Sequence, residues 1–178
     1  TAGFFMKAPD NNVLEFALSK KVILVEGDAE FMLMEELYKR VSGGKTPQAD
    51  HVHIISIGGT SFKRYLELAK LLSIKVAAIR DNDKNYQQNC IENYSDHTTD
   101  SAKIFADKDP NRYTFEVGMY LDNQKVCNEL FGEERKTLTV QQYMLKNKAE
   151  AAYELLEANH ENLSVPDYIQ EAVTWIRK

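Results

Sequence analysis

Four carboxylates stand where apolar runs stop. Glu26 and Glu30 follow the run in "VILVEGDAE", and Asp81 and Asp83 follow the run in "AAIRDND". Each alone has an ordinary explanation: a solvated strand end for Glu26, a favourable first-turn charge for Glu30, turn chemistry for the aspartates of "DNDKN". Brought together without matching Lys or Arg, they would repel one another, raise one another's pKa and destabilise the fold unless a cation joined them. Oxygen donors with no His or Cys among them select magnesium or manganese over zinc. Alternate residues in a strict strand face opposite ways, but at a strand end turning into a loop both aspartates can reach one ion or a pair. Two such ions about 4 Å apart can activate a water and stabilise the leaving oxygen of a phosphodiester.

The elements needed to gather these acids are legible in outline. "KVILVEG" is a continuous apolar run of strand length, suited to a strand buried on both faces of a parallel sheet. "DAEFMLMEELYKRV" follows, with Phe31, Met34, Leu37, Tyr38 and Val41 at helical spacing and Asp28 placed to cap its start. "HVHIISIGG" is a second strand, "SFKRYLELAKLL" a second helix with Phe62, Leu66, Ala69 and Leu72 on one face, and "IKVAAIRDND" a third strand. From Lys84 to Asn111 the chain is polar and is expected to loop, with one helix around "SDHTTDSAKIF". "RYTFEVGMYL" reads as a fourth strand, which would carry Glu116 toward the acids. "NQKVCNELFG", "KAEAAYELLEANH" and "PDYIQEAVTWIRK" read as helices. Strands alternating with helices predict an α/β fold whose mainly parallel sheet is flanked by helices, with ligands beyond the carboxyl ends of the strands.

Composition excludes several classes. The chain has 178 residues and a net charge of −5, with no apolar run near the roughly 20 residues that cross a bilayer. No membrane span or signal peptide is expected at the start. Cys90 and Cys127 form no CxxC pair, which fits a reducing, cytoplasmic setting and argues against a zinc ribbon. "SGGKT" at 42–46 lacks the first glycine of a P-loop and follows a helix rather than a strand, so it is rejected as a nucleotide site. His51 and His53 alternate in a strand but lie far from the acids. A net negative chain meets nucleic acid only if cations neutralise the acids locally.

"VILVEGDAE", then "ISIGGTSF", then "AAIRDND" resembles a Toprim domain, the catalytic fold of topoisomerases, primases and several nucleases. The pattern is most similar to the Toprim of OLD-family (overcoming lysogenization defect) ATP-dependent nucleases: a Glu and a second acid after strand one, Gly58 and Gly59 after strand two, the DxD after strand three, a later acid and a lysine opening a helix. Lys148 in "KAEAA" matches that lysine best. The resemblance covers residues 20 to 160 and implies a two-metal nuclease that hydrolyses DNA. Glu26 would bind metal and help deprotonate the attacking water; Glu30, Asp81 and Asp83 would hold the ions; Glu116 would complete the second site. Lys148 would stabilise charge on the scissile phosphate, with Ser56 or Thr60 as further candidate ligands. Glu26, Asp81 and Lys148 are the expected catalytic set.

The same resemblance implies a domain plan and partners. Residues 1–20 would connect, 21–122 form the Toprim core, and 123–178 add the helical element that carries Lys148. ATP would act only through a separate ATPase domain of the same longer protein, through which the chain could also homo-oligomerise. Lys125, Arg135, Lys136, Lys146 and Lys148 make the tail more basic than the first half, and are expected along the phosphate backbone of DNA. RNA as substrate, and a non-catalytic module that binds nucleic acid or docks a partner, are the alternatives.

Overall fold

The structure is a computed structural model that describes residues 11–59, 62–132 and 137–178. Thr60, Arg135 and Lys136, named above as candidate contacts, lie outside the described residues. Four parallel strands form one sheet: β1 (Lys21–Val25), β2 (Val52–Ser56), β3 (Lys75–Ile79) and β4 (Ala102–Phe105), in the order β2-β1-β3-β4. Helix α2 (Asp28–Ser42) carries the chain from β1 to β2, and α3 (Phe62–Leu72) carries it back past β1 to β3. Because the direction of winding reverses between these crossovers, uniform right-handedness puts the two helices on opposite faces.

The strand side chains divide accordingly. Ile23, Val25, Ala77 and Ile79 join one buried cluster with Leu33, Met34 and Leu37 of α2. Val22, Leu24, Val76 and Ala78 join the other, with Phe16 of α1 (Asn11–Leu18) and Phe62, Leu66 and Ala69 of α3. Both faces are covered, which is why β1 and β3 read as unbroken apolar runs. The first face also receives α7 (Lys148–Ala158) and α8 (Asp167–Arg177), so the C-terminal helices share a core with the sheet. Two lysines at strand starts fix α8 there: Lys21 Nζ donates to the Arg177 carbonyl at 3.1 Å, and Lys75 Nζ to that of Trp175 at 2.9 Å. Cations at the open carbonyls of a helix end are favourable.

Two expected elements change type. The fourth strand is Ala102–Phe105, inside the segment read as a helix, whereas "FEVGMYLD" forms helix α4 (Phe115–Asp122). Phe115, Val117 and Met119 alternate like a strand, but Glu116 and Gly118 between them are buried as well, so no polar face marks the helix. The local signal is Thr114, whose side chain accepts from Val117 N as the N-cap. Asp28 is not a cap either: Gly27 holds that position, with no side-chain hydrogen bond. Phe31 and Leu72, expected in apolar faces, are exposed. Helix α5 (Gln124–Phe131) completes the expected tail, α6 (Val140–Lys146) is an additional helix that the sequence reading did not name, and among the described residues no helix is long and apolar enough to cross a membrane.

Candidate functional site

In a sheet of this order the winding reverses between β1 and β3, leaving a crevice beyond their carboxyl ends. Glu26 directly follows β1 and Asp81 lies two residues beyond β3, so both acids flank that crevice. Glu30 sits in the first turn of α2. The loop after β2 is tied to the same place, because Ile57 N donates to Val25 O at 3.1 Å and Gly59 N to Glu26 O at 3.0 Å. Gly58 and Gly59 adopt φ of 61° and 128°, and the second value excludes side chains other than glycine at little cost. Gly27 serves differently: a Cβ there would stand 3.2 Å from Glu30 Oε2, crowding that carboxylate.

The result is a cleft of about 380 Å³ lined by Glu26, Glu30, Gly58, Gly59, Asp81 and Lys148, among others. A larger cleft of about 620 Å³ lies elsewhere, where Arg112 bridges Asp107 and Asp122. In the smaller cleft Glu26, Glu30 and Asp81 have no arginine among the described residues bridging them in this way.

Asp81 reaches α4 as well as the cleft. Its Oδ1 accepts from Phe115 N at 2.8 Å, holding the carboxylate at the N-terminus of the helix whose next residue is Glu116. The expectation that Glu116 arrives on a strand is therefore corrected; it arrives in a first helical turn, is nearly fully buried, and meets Lys148 Nζ at 3.1 Å. Asp83 stands apart. Its side chain is half-exposed, it does not line the cleft, and its φ of 49° places it in a left-handed turn. Ser56 ends β2 without lining the cleft, and His53 pairs with Glu15 away from it.

Crowding and burial act on the acids in the same direction. Asp81 is pushed up to about 8, first by desolvation, then by Glu30, Glu116 and Glu26, against a smaller opposing effect of the Phe115 N–H. Glu30 is pushed up to about 7, mainly by desolvation. Glu26 is raised by burial, with Arg80 opposing. Glu26 Oε2 and Glu116 Oε1 are buried with no hydrogen-bond partner among the described residues, and Glu116 Oε2 has the Lys148 ammonium beside it. Orphaned hard oxygens beside carboxylates that resist ionisation suit a divalent cation by donor chemistry. Among the described residues, however, no three His, Cys, Asp or Glu side chains already form a cation-binding group.

Two supporting residues escaped the sequence reading. Arg80 is almost buried; its Nε donates to Asp81 O, Nη1 to Tyr94 Oη and Nη2 to Asp83 Oδ2, at 3.0, 2.7 and 3.1 Å. Asn82 is buried between the aspartates, donating to the carbonyls of Asp107, Asp109 and Arg112 while its Oδ1 accepts from Lys84 N. An arginine at the end of an apolar strand was the available signal for the first. Asn82 resembled an ordinary turn residue.

A four-stranded parallel sheet with acids at its β1/β3 crevice, flanked by helices on both faces, is the architecture of a Toprim-type, Rossmann-like domain. Residues 18–83 match the family model for the Overcoming lysogenization defect protein-like TOPRIM domain. The fold is similar to the C-terminal region of the Burkholderia pseudomallei OLD protein, with a TM-score of 0.71 and 17% identity over 90% of this chain and 98% of that one. It is also similar to the C-terminal region of the Xanthomonas campestris pv. campestris OLD protein, with a TM-score of 0.64 and 18% identity over 94% and 95%. No curated protein matches the chain.

Proposed function

We propose that this chain is the catalytic part of a divalent-cation-dependent nuclease that hydrolyses DNA phosphodiester bonds, with residues 21–122 as its core and 123–178 supplying Lys148. The supporting observation is the gathering of Glu26, Glu30, Asp81 and Glu116 around one crevice, with Asp81 raised to about 8 by burial and by the other three. Glu26, Glu30, Asp81 and Glu116 would hold magnesium or manganese, as two ions, whereas Asp83, expected as a further ligand, pairs with Arg80 outside the cleft. Bound there, the ions would lower the pKa of a water and offset charge on the leaving oxygen.

The chain's own groups have separable parts in this scheme. Asp81 carries a proton near neutral pH in the cation-free protein, and must release it to become a ligand. Glu26 lines the cleft with one oxygen unbonded, as a base accepting a proton from water would require. Lys148 sits half-exposed at the rim, where an ammonium can neutralise a phosphate oxygen. The matched structures are C-terminal regions of OLD proteins. They fit a longer protein, and the sequence resemblance to ATP-dependent OLD nucleases implies an ATPase domain of that protein as partner, with ATP acting only through it.

The test is nicking of supercoiled plasmid in manganese, magnesium or EDTA. Cleavage is expected with either metal, absent in EDTA, and reduced at least about 100-fold by Asp81→Ala, the lower range for loss of a group that stabilises the transition state. Cleavage that survives Asp81→Ala excludes this mechanism. Binding without cleavage by the intact chain would instead indicate the non-catalytic module, and preferential cutting of an RNA of matched sequence would replace DNA as substrate.

A further inference from the structure

The ion pair between Lys148 and Glu116 is uneven. The lysine side chain is 49% exposed and the glutamate 4%. The ammonium stands 3.1 Å from Glu116 Oε2, while Glu116 Oε1 is buried with no partner among the described residues, so the lysine satisfies only one side of the carboxylate. Lys148 also opens α7, where the positive end of the helix disfavours a cation. Burial lowers the ammonium's hold on its proton, but Glu116, Asp81 and Glu30 outweigh that effect and keep it charged. A buried carboxylate with unfilled lone pairs, facing a flexible cation that gains nothing from its own helix, is a loosely closed contact.

We propose that Lys148 is an exchangeable counter-ion: in the cation-free protein its ammonium neutralises Glu116, and a divalent cation seated at Glu116 displaces it toward the open cleft. The inference deepens the proposed function and rests on Glu116 as a cation ligand. Its consequence is order. The amine that would meet the phosphate is released only after the cation has arrived, so substrate charge is neutralised only at a loaded site. A cation and an ammonium that compete for one carboxylate oppose each other's binding reciprocally.

Manganese binding to the 178-residue chain, measured by calorimetry, tests this with Lys148→Met, Lys148→Arg and Glu116→Gln beside the unaltered protein. Removing the competitor in Lys148→Met should tighten manganese binding at least about fivefold, the low end of site-to-site coupling. Lys148→Arg, which keeps the charge, should bind as the unaltered protein does, and Glu116→Gln should bind more weakly. A second readout does not depend on the variants folding: acetylation of Lys148 at fixed pH, followed by mass spectrometry, should accelerate when manganese is added. If Lys148→Met binds manganese no better while Glu116→Gln still weakens binding, or if manganese slows acetylation, the exchange is overturned and the metal assignment stands. If Glu116→Gln leaves manganese binding unchanged, both fall.

Discussion

The two sides of the crevice hold their cations in opposite ways. On the β3 side, Arg80 makes three hydrogen bonds, lies 5.5 Å from the Tyr94 ring centroid and 5.9 Å from that of Phe62, and is 8% exposed. Its planar fork is used in three directions, which a lysine could not reproduce. On the α7 side, Lys148 has one ion pair and half its surface in solvent. The first cation is built into the fold; the second is placed where it can leave. Acids that would otherwise only repel are thus divided between a fixed positive charge beside Glu26 and Asp83 and a movable one beside Glu116.

The largest effect expected from this contrast is on stability. Arg80→Met leaves Asp83, the Tyr94 hydroxyl and the Asp81 carbonyl without their donor. It should cost about 2–3 kcal/mol in urea denaturation, below the range for breaking a fully buried pair because Asp83 is half-exposed. Lys148→Met should cost distinctly less. Equal losses would erase the difference between the two sides.

A smaller effect separates the acids by pH. Glu30 and Asp81 ionise at about 7 and about 8 in the folded chain, against ordinary carboxylate values near 4, so the folded state holds their protons more tightly than the unfolded state. Their contribution is fully present below pH 4 and is lost as pH rises through 7 and 8. Facing these groups are Glu26 and Glu116, which oppose ionisation, and Lys148, which favours it. In EDTA, stability attributable to this site should fall by on the order of 2 kcal/mol between pH 7 and 8.5, roughly 4–8 °C in melting temperature for a chain of this size. Asp81→Asn should flatten the slope, and manganese should reverse it at the alkaline end. A slope unchanged by Asp81→Asn would show that the acids on this side do not share one field.

How much of this was legible follows from what each residue touches. β1 and β3 announced themselves because both faces are buried, and strand-end acids in a parallel sheet converge by topology alone, so Glu26 and Asp81 could be paired across 55 positions. β4 is four residues at a sheet edge with Lys103 exposed, too short and too polar to stand out. The α4 segment misled because burial on all sides removes helical periodicity. Arg80 could not be assigned from its neighbours, since its partner Tyr94 comes 14 residues later, beyond a π-helical turn from Gln87 to Ile91. The pairing of Glu116 with Lys148 depends on α7 packing against α2, which no local pattern encodes.

Tyr94→Phe should have the smallest of these effects, and it tests what makes the Arg80 side rigid. The substitution keeps the ring beneath the guanidinium but removes the oxygen that accepts from Nη1 at 2.7 Å. One buried N–H of a charged group then lacks a partner, a loss of about 1–2 kcal/mol. Asp83 and the Asp81 carbonyl still hold the other two donors, so Asp83 should keep its position and plasmid nicking should change little. If Tyr94→Phe instead destabilises as much as Arg80→Met, a single hydroxyl fixes this cation. The Arg80 side would then depend on one contact, as the Lys148 side does, and its apparent redundancy would carry no weight.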